Sequence, residues 1–407
     1  VKVGQELTVS AFDGIICIGG EDWWYHNRGH FDFQIMRRLA KRWPVLFVNS
    51  IGVRVPSVAD KRVFLQRVGR KLKSLTRGLK EVEPGFHVYS PLSLPGSVGH
   101  KWARWALVQQ IKSAARRIGI ERPLLWVHCP AGAGLEVDLG ALGMVLQRTD
   151  RFEAYPEGDH ELLSRQIAHL KARADLVVYS SDLLLDEEVG QVGRSMLVTH
   201  GVDLETFARA GDQEETVPFD VEPIRGPRVG FIGGMDAHTF DPTLFHEVAE
   251  RLHNVSFVMV GGSSLPEDWC TLRNVHFLGQ KPYDEVAAYM AAMDVLIMPW
   301  NRSPWIEACN PIKLKEYLAV GRPVVSTDFK ALDPWRSFIR VAGNADCFSA
   351  AIAEALDSPL DTAEVRRLLV TESWEHKAAE IARELESIPC GNRTDSARTT
   401  ATQAKAA

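Results

Sequence analysis

Short runs of Val, Ile, Leu and aromatic residues recur along almost the whole chain, separated by longer stretches with helical periodicity. In the first half they fall at 14–18, 45–48, 124–128, 176–179 and 196–198; in the second, at 228–232, 256–260, 295–298 and 323–326. The runs are continuous rather than alternating, which marks strands buried on both faces. Helices between such strands imply parallel sheets. The expected class is therefore α/β, with doubly wound sheets. A chain of 407 residues is long for one core and sufficient for two.

The boundary is expected inside 204–227, because 211–227 (GDQEETVPFDVEPIRGP) is acidic, proline-rich and without periodicity. This predicts domains at 1–203 and 228–370, and a small, polar, disordered tail at 391–407. The two halves differ in charge: residues 1–200 hold 27 Lys+Arg against 21 Asp+Glu, and residues 201–407 hold 20 against 31. Opposite signs suggest different partners, with the positive half approaching an anionic surface. In such folds the ligand is expected at the carboxyl ends of the strands, in the cleft between the domains.

Several classes are disfavoured. No apolar run approaches the roughly 20 residues that span a bilayer. The opening VKVGQELTVSAFDG lacks a basic-then-apolar leader, so a cytoplasmic protein is expected. The six cysteines are scattered without a CxxC, and no DxD-type pair ends a strand, so no metal or other cofactor is expected. No nucleic-acid-binding motif is present, and nucleic acid is not an expected partner.

The segment 310–327, NPIKLKEYLAVGRPVVST, carries the clearest chemistry. Asn310 opens it, a helix is expected after Pro311, and Gly321 ends the helix just before a buried strand. Lys313 and Glu316, three apart, share a face. With the helix N-terminus, Lys313 suits a diphosphate, while Glu316 suits ribose hydroxyls. At 229–235, VGFIGGM, Gly233 and Gly234 end a strand, with Met235 next. The reading is either a close backbone approach to phosphate or a plain tight turn, since GxGxxG is missing. Gly279 in Phe277-Leu278-Gly279-Gln280 either meets a nucleobase edge or belongs to an ordinary connection. Arg302 is a phosphate clamp or a solvated arginine.

In the first half, Gly20, Asp22, Trp23 and Trp24 follow the first strand. They suit an acceptor sugar or, equally, a core tryptophan pair beside a capping aspartate. His128 ends another strand, as a cleft residue or a structural histidine. Asp150 is a candidate general base or a turn aspartate. Residues 61–80, KRVFLQRVGRKLKSLTRGLK, hold eight cations and no acid around a leucine stripe. They read as an amphipathic basic helix, either on an anionic membrane or packed on its own domain.

With these residues in hand, the chain resembles GT-B glycosyltransferases, of the family 4-like kind, over most of 14–390. VGFIGGMDAHTFDPTLF, FVMVGG, NVHFLGQ and NPIKLKEYLAVGRPVVST stand in that family's order, HGVDLETF is similar to its crossover motif, and Ser373-Trp374 opens what looks like the last helix. The resemblance implies two Rossmann-like domains facing across a cleft, with a final helix at 371–390 returning to the first domain. Bacterial teichuronic-acid and exopolysaccharide enzymes, including xanthan-type glucuronosyltransferases, are similar. This implies transfer from a nucleotide-diphosphate sugar, most simply a UDP-sugar, to a lipid-linked or growing glycan, on the inner face of the plasma membrane. It also implies Asp150 as base, Met235 and Lys313 near the diphosphate, and Glu316 at the ribose. The retaining members' first glutamate is replaced here by Ala308, and GGMDAHTFDP offers no basic pair. The stereochemistry therefore stays open. An epimerase on a UDP-amino sugar and a non-catalytic membrane-surface protein are the alternatives.

Overall fold

The computed structural model describes residues 12–25, 28–51, 69, 73–92, 101–149, 151–154, 159–213, 217–303, 306 and 311–388. They fall into two compact units. One is the chain up to Thr199 together with residues from Ala378 onward; the other is His200–Lys377.

The first unit contains β1 (Gly14–Ile18), β2 (Val45–Val48), β3 (Leu79–Glu83), β4 (Phe86–Tyr89), β5 (Pro123–Val127), β6 (Gly143–Arg148), β7 (Leu176–Tyr179) and β8 (Ser195–Leu197). Among the described residues these make one sheet in the order β3-β4-β2-β1-β5-β6-β7-β8. Every residue of β1, β2, β5, β6 and β7 is buried, as continuous apolar runs require. The order reverses between β1 and β5, which pair in parallel from Gly14↔Pro123 to Ile18↔Val127. Residues just past Ile18 and Val127 therefore meet at the switch point, where such sheets bind ligands.

The second unit contains β9 (Arg228–Ile232), β10 (Ser256–Val260), β11 (Val275–Gly279), β12 (Val295–Met298), β13 (Val324–Ser326) and β14 (Ile339–Val341). Their order is β11-β10-β9-β12-β13-β14, parallel throughout, with the reversal between β9 and β12. Its helices start on short polar caps: Asp203, Asp241, Asn344 and Asp361 each accept a backbone N–H of the first turn. The helix Ile312–Val320 stops at Gly321, whose φ of +84° suits glycine alone among common residues. Lys315 on that helix is buried, and donates to the His200 carbonyl and to Glu372, each at 2.5 Å.

The strand expectations hold within a residue at each end. Three elements depart from the sequence reading. The basic segment 61–80 does not continue as a helix to its end: the chain turns at Thr76 and Arg77, and Leu79 and Lys80 open β3, antiparallel to β4. β3 reads LKEVE because it is a sheet edge, where exposed charge discourages further pairing. Residues 61–68 and 70–72 lie outside the described residues. The span 204–227, read as linker, begins with the helix Leu204–Asp212, which buries Phe207 and Ala210. The last helix is Trp374–Glu386, shorter than 371–390. Trp374 is fully buried beside His200 in the second unit, while Glu384 and Glu386 pair with Arg194 and Arg42 of the first. The tail 391–407 lies outside the described residues. No helix among the described residues is long and apolar enough to cross a membrane.

Candidate active site

In the second unit the switch point holds Lys313. Its ammonium lies 4.7 Å from the ring centroid of Phe231 and 5.6 Å from that of Trp300, which itself stacks on Phe329. Phe231 is in β9 and Trp300 follows β12, so the cation stands on the two strands flanking the reversal. Gly233 has φ +154°, and a Cβ there would run into the Lys313 ammonium. The backbone conformation favours glycine, and a larger residue would displace the Lys313 ammonium. Pro311 precedes the helix and supplies no side-chain cap, and Lys313 stands in the helix's first turn.

One turn on, Glu316 is buried and accepts a hydrogen bond from the Tyr283 hydroxyl at 3.2 Å. Burial pushes its carboxyl up to about 7, against weaker lowering by Tyr283 and Lys313 and a further push from Asp203. Tyr317 donates to the Ile232 carbonyl at 3.2 Å and accepts the Ile232 N–H at 2.8 Å, locking the helix to the end of β9. Lys313 and Glu316 are therefore presented by a rigid element. The pair offers a cation for a diphosphate and a carboxylate for hydroxyls.

The other donor candidates lie at or after the ends of β9, β11 and β12. Gly234 follows Gly233, with Asp236 close against it. Met235 is corrected: its side chain is 2 % exposed within the core, and its N–H already donates to Gly262 O at 2.9 Å. Gly279 ends the edge strand β11, and its carbonyl accepts from Gly261 N–H at 2.9 Å. It stands two strands away from β9. Arg302 is exposed, its guanidinium against Gly343 beyond β14, and the structure does not bring it to Lys313. Asn310 lies outside the described residues.

In the first unit, His128 stands at the β1/β5 switch point. Its Nδ1 is 3.1 Å from Asp32 Oδ2 and its Nε2 is 3.0 Å from Thr149 Oγ1. Asp32 is wholly buried. Burial alone would raise its carboxyl, but the His128 imidazole, with His30 and the Phe33 N–H, outweighs this and holds it below the ordinary aspartate range. Sequence reasoning missed Asp32 and Thr149. An aspartate in a helix's first turn is ordinary; the available signal was its place inside FDFQIM, where every residue is buried.

The reading of Trp23 and Trp24 as an acceptor face is corrected. Trp23 is 3 % exposed and packs edge-on against Phe33 and Phe86, both at 5.1 Å. Trp24 is half-buried under the Arg77 guanidinium at 4.3 Å. Asp22 accepts the Trp24 N–H at 2.9 Å, as a turn-capping aspartate does. Gly20 lies beside His128, and a Cβ there would meet the His128 ring. Asp150 lies outside the described residues, but the strand before it is pinned. The buried Arg148 donates to Glu188 at 2.6 Å and to Glu153 at 2.7 Å.

A groove of about 780 Å³ lies elsewhere, at the amino ends of β9–β11, lined by Arg225, His253, Arg273 and His276 among others. Parallel α/β sheets bind at their carboxyl ends, so Lys313 and His128 mark the candidate sites instead.

Residues 226–358 match the family model described as glycosyl transferases group 1. A Bacillus subtilis (strain 168) protein, TuaH, named for teichuronic acid biosynthesis glycosyltransferase activity, is 33% identical over 165 residues, 38% of this chain. The match spans 41% of that protein's length. Among solved structures, HepE of Anabaena in complex with UDP-glucose aligns with a TM-score of 0.61 at 14% identity, covering 92% of this chain and 99% of HepE. Sucrose-phosphate synthase from Thermosynechococcus elongatus aligns at 0.58 and 17%, covering 91% and 98%. The fold is that of GT-B glycosyltransferases: two α/β units with parallel, Rossmann-like cores.

Proposed function

We propose that this chain moves a sugar from a UDP-sugar to a glycan or lipid-linked acceptor during synthesis of a bacterial cell-surface polysaccharide. The observation that carries the reading is Lys313 held over Phe231 and Trp300 at the β9/β12 reversal, with Glu316 one turn further on. A cation beside a helix start stabilises the leaving diphosphate, and a carboxylate selects ribose. The group 1 match over 226–358 supports the reaction class. The UDP-glucose held by HepE supports a UDP-sugar, and the name of TuaH supports a polysaccharide product. In this reading Lys313 and the helix end supply the positive charge at the diphosphate, and chelation with EDTA leaves transfer unchanged.

The acceptor belongs to the first unit, whose sequence nominates Asp150 and His128 as candidate bases. Leu92, Trp102 and Trp105 are exposed there, the two tryptophans at 65 % each, three residues apart on the helix Lys101–Arg117. Aromatic side chains of this kind suit the interface of an anionic bilayer. This supports attachment to the inner membrane face, where lipid-linked acceptors reside.

The test is thermal unfolding of the full chain with UDP, GDP, ADP and CMP. At ~100 times its dissociation constant a binder stabilises by about 2.7 kcal/mol, a rise of a few degrees for a chain of this size. A rise with UDP alone, followed by UDP release from a UDP-sugar, supports the proposal. Absence of a rise with every nucleotide, in folded protein, overturns it.

A further inference from the structure

Transfer to a hydroxyl needs a group to take its proton, and three side chains of the first unit form a line that ends in one. Asp32 lies in the first turn of the helix Phe31–Leu39. Its Oδ1 accepts the Phe33 N–H at 3.0 Å, and its Oδ2 faces His128 Nδ1 at 3.1 Å. An ionised carboxylate only accepts, so Nδ1 carries the hydrogen. In the neutral ring Nε2 is then the acceptor, and the Thr149 hydroxyl, 3.0 Å away, donates to it. The ring is confined on its faces as well. A Cβ on Gly20 would come within 2.8 Å of Nδ1, and Phe152 packs edge-on at 5.7 Å. Asp32 is wholly buried while the His128 side chain keeps 11 % exposure, so the pair is anchored at one end and reachable at the other.

We propose that His128 is the general base for the acceptor hydroxyl, that Asp32 is the positioning residue that sets its tautomer, and that the Thr149 hydroxyl stands where the acceptor hydroxyl binds. The inference rests on the transferase reading above. In the step, the acceptor O–H bond breaks and its proton goes to Nε2. The oxygen's electron pair forms the bond to the anomeric carbon. The bond from that carbon to the diphosphate breaks, and its electrons leave with the diphosphate. The imidazolium so formed stands against the Asp32 carboxylate, an arrangement that lowers the cost of its charge. Among the described residues, His30 acts on Asp32, Asp32 acts on Cys17, and Glu21 acts on Cys129. Asp32 is in hydrogen-bond contact with Nδ1.

The acceptor is unidentified, so the probe is release of UDP to water by the full chain from UDP-glucose, UDP-galactose, UDP-N-acetylglucosamine and UDP-glucuronic acid. Asp32→Asn donates to Nδ1 and forces the other tautomer. It is expected to lower kcat at least about 100-fold, to leave the UDP thermal shift unchanged, and to move the acidic limb of kcat/KM to lower pH. His128→Gln is expected to lose at least as much, and the double variant no more than His128→Gln alone. An unchanged rate and pH profile in Asp32→Asn overturns the proposal. So does a loss confined to Asp150→Asn. In case Asp32→Asn fails to fold, ¹⁵N–¹H correlation spectra of histidine-labelled wild type read the tautomer directly: Nδ1–H on His128 upholds the arrangement and Nε2–H overturns it. Wild type that is not stabilised by UDP and releases none from any donor removes the transferase reading, and the base with it. The tautomer spectrum then still decides whether Asp32 holds the ring.

Discussion

The ammonium of Lys313 lies 4.7 Å from the ring centroid of Phe231, although the residues sit on elements separated by three intervening strands in the chain. This relationship makes a local motif into a site. It carries the charge of the helix Ile312–Val320 to the reversal between β9 and β12, the place in a parallel sheet where a ligand finds open strand ends.

Lys313→Ala removes the charge proposed to pair with the diphosphate, together with its contacts to the Phe231 and Trp300 rings. Charge-assisted hydrogen bonds contribute about 1.5–3 kcal/mol, so UDP affinity is expected to fall roughly 10- to 100-fold. Titration calorimetry measures this, and a melting temperature within a few degrees of wild type confirms that the loss is local.

Glu316 gives a pH dependence of defined sign. Its folded carboxyl is raised from 4.5 to about 7, chiefly by burial. Its contribution to stability is therefore fully present below about 4.5 and is lost as pH rises through about 7. The loss is on the order of 3 kcal/mol as an upper bound. Glu316→Gln is expected to flatten this part of the stability–pH curve, read by urea unfolding between pH 5 and pH 8. Ribose hydroxyls favour the ionised form, so UDP binding near neutral pH is expected to release a proton. Calorimetry in buffers of different ionisation enthalpy detects it.

Gly233→Ala puts a methyl group where the Lys313 ammonium stands and strains a backbone at φ +154°. A cost of about 1–3 kcal/mol is expected, together with weaker UDP binding because the lysine is displaced. Gly234→Ala meets only the Asp236 side chain and is expected to cost less. Comparing the two by chemical denaturation isolates the close approach from any general intolerance of the loop.

Arg148→Ala leaves Glu153 and Glu188 without the buried guanidinium that both accept from. Breaking a buried pair in this way costs about 3–5 kcal/mol. Urea unfolding is expected to show a loss of that size. Arg148→Met keeps the volume but not the charge, and is expected to recover little of it, because the buried Glu188 still lacks its guanidinium partner, with Tyr179 and Lys171 left to it.

Nine of the fourteen described strands were legible because continuous apolar runs need no partner to be recognised, and 14–18, 45–48, 228–232 and 295–298 emerge as read, whereas β3, β4, β6, β11 and β14 were not among the runs singled out. The Lys313–Glu316 spacing was legible for a similar reason: three residues on a helix share a face in any fold. β3 was not, because an edge strand such as LKEVE is charged and resembles a turn of surface helix. Trp23 and Met235 were misread because a large apolar side chain looks the same in sequence whether it lines a site or fills a core.

The chain's order of apolar runs, turns and caps determined by itself that two parallel α/β units form, and which helix carries the cation and the carboxylate. Pairing across distance was decided only by tertiary structure. Asp32 meets His128 ninety-six residues away, and Thr149 closes the line from a third element. Periodicity constrains neighbours a few residues apart, whereas these contacts arise when β1, β5 and β6 align in register and bring their carboxyl ends together. That alignment depends on the whole core and is written in no single segment.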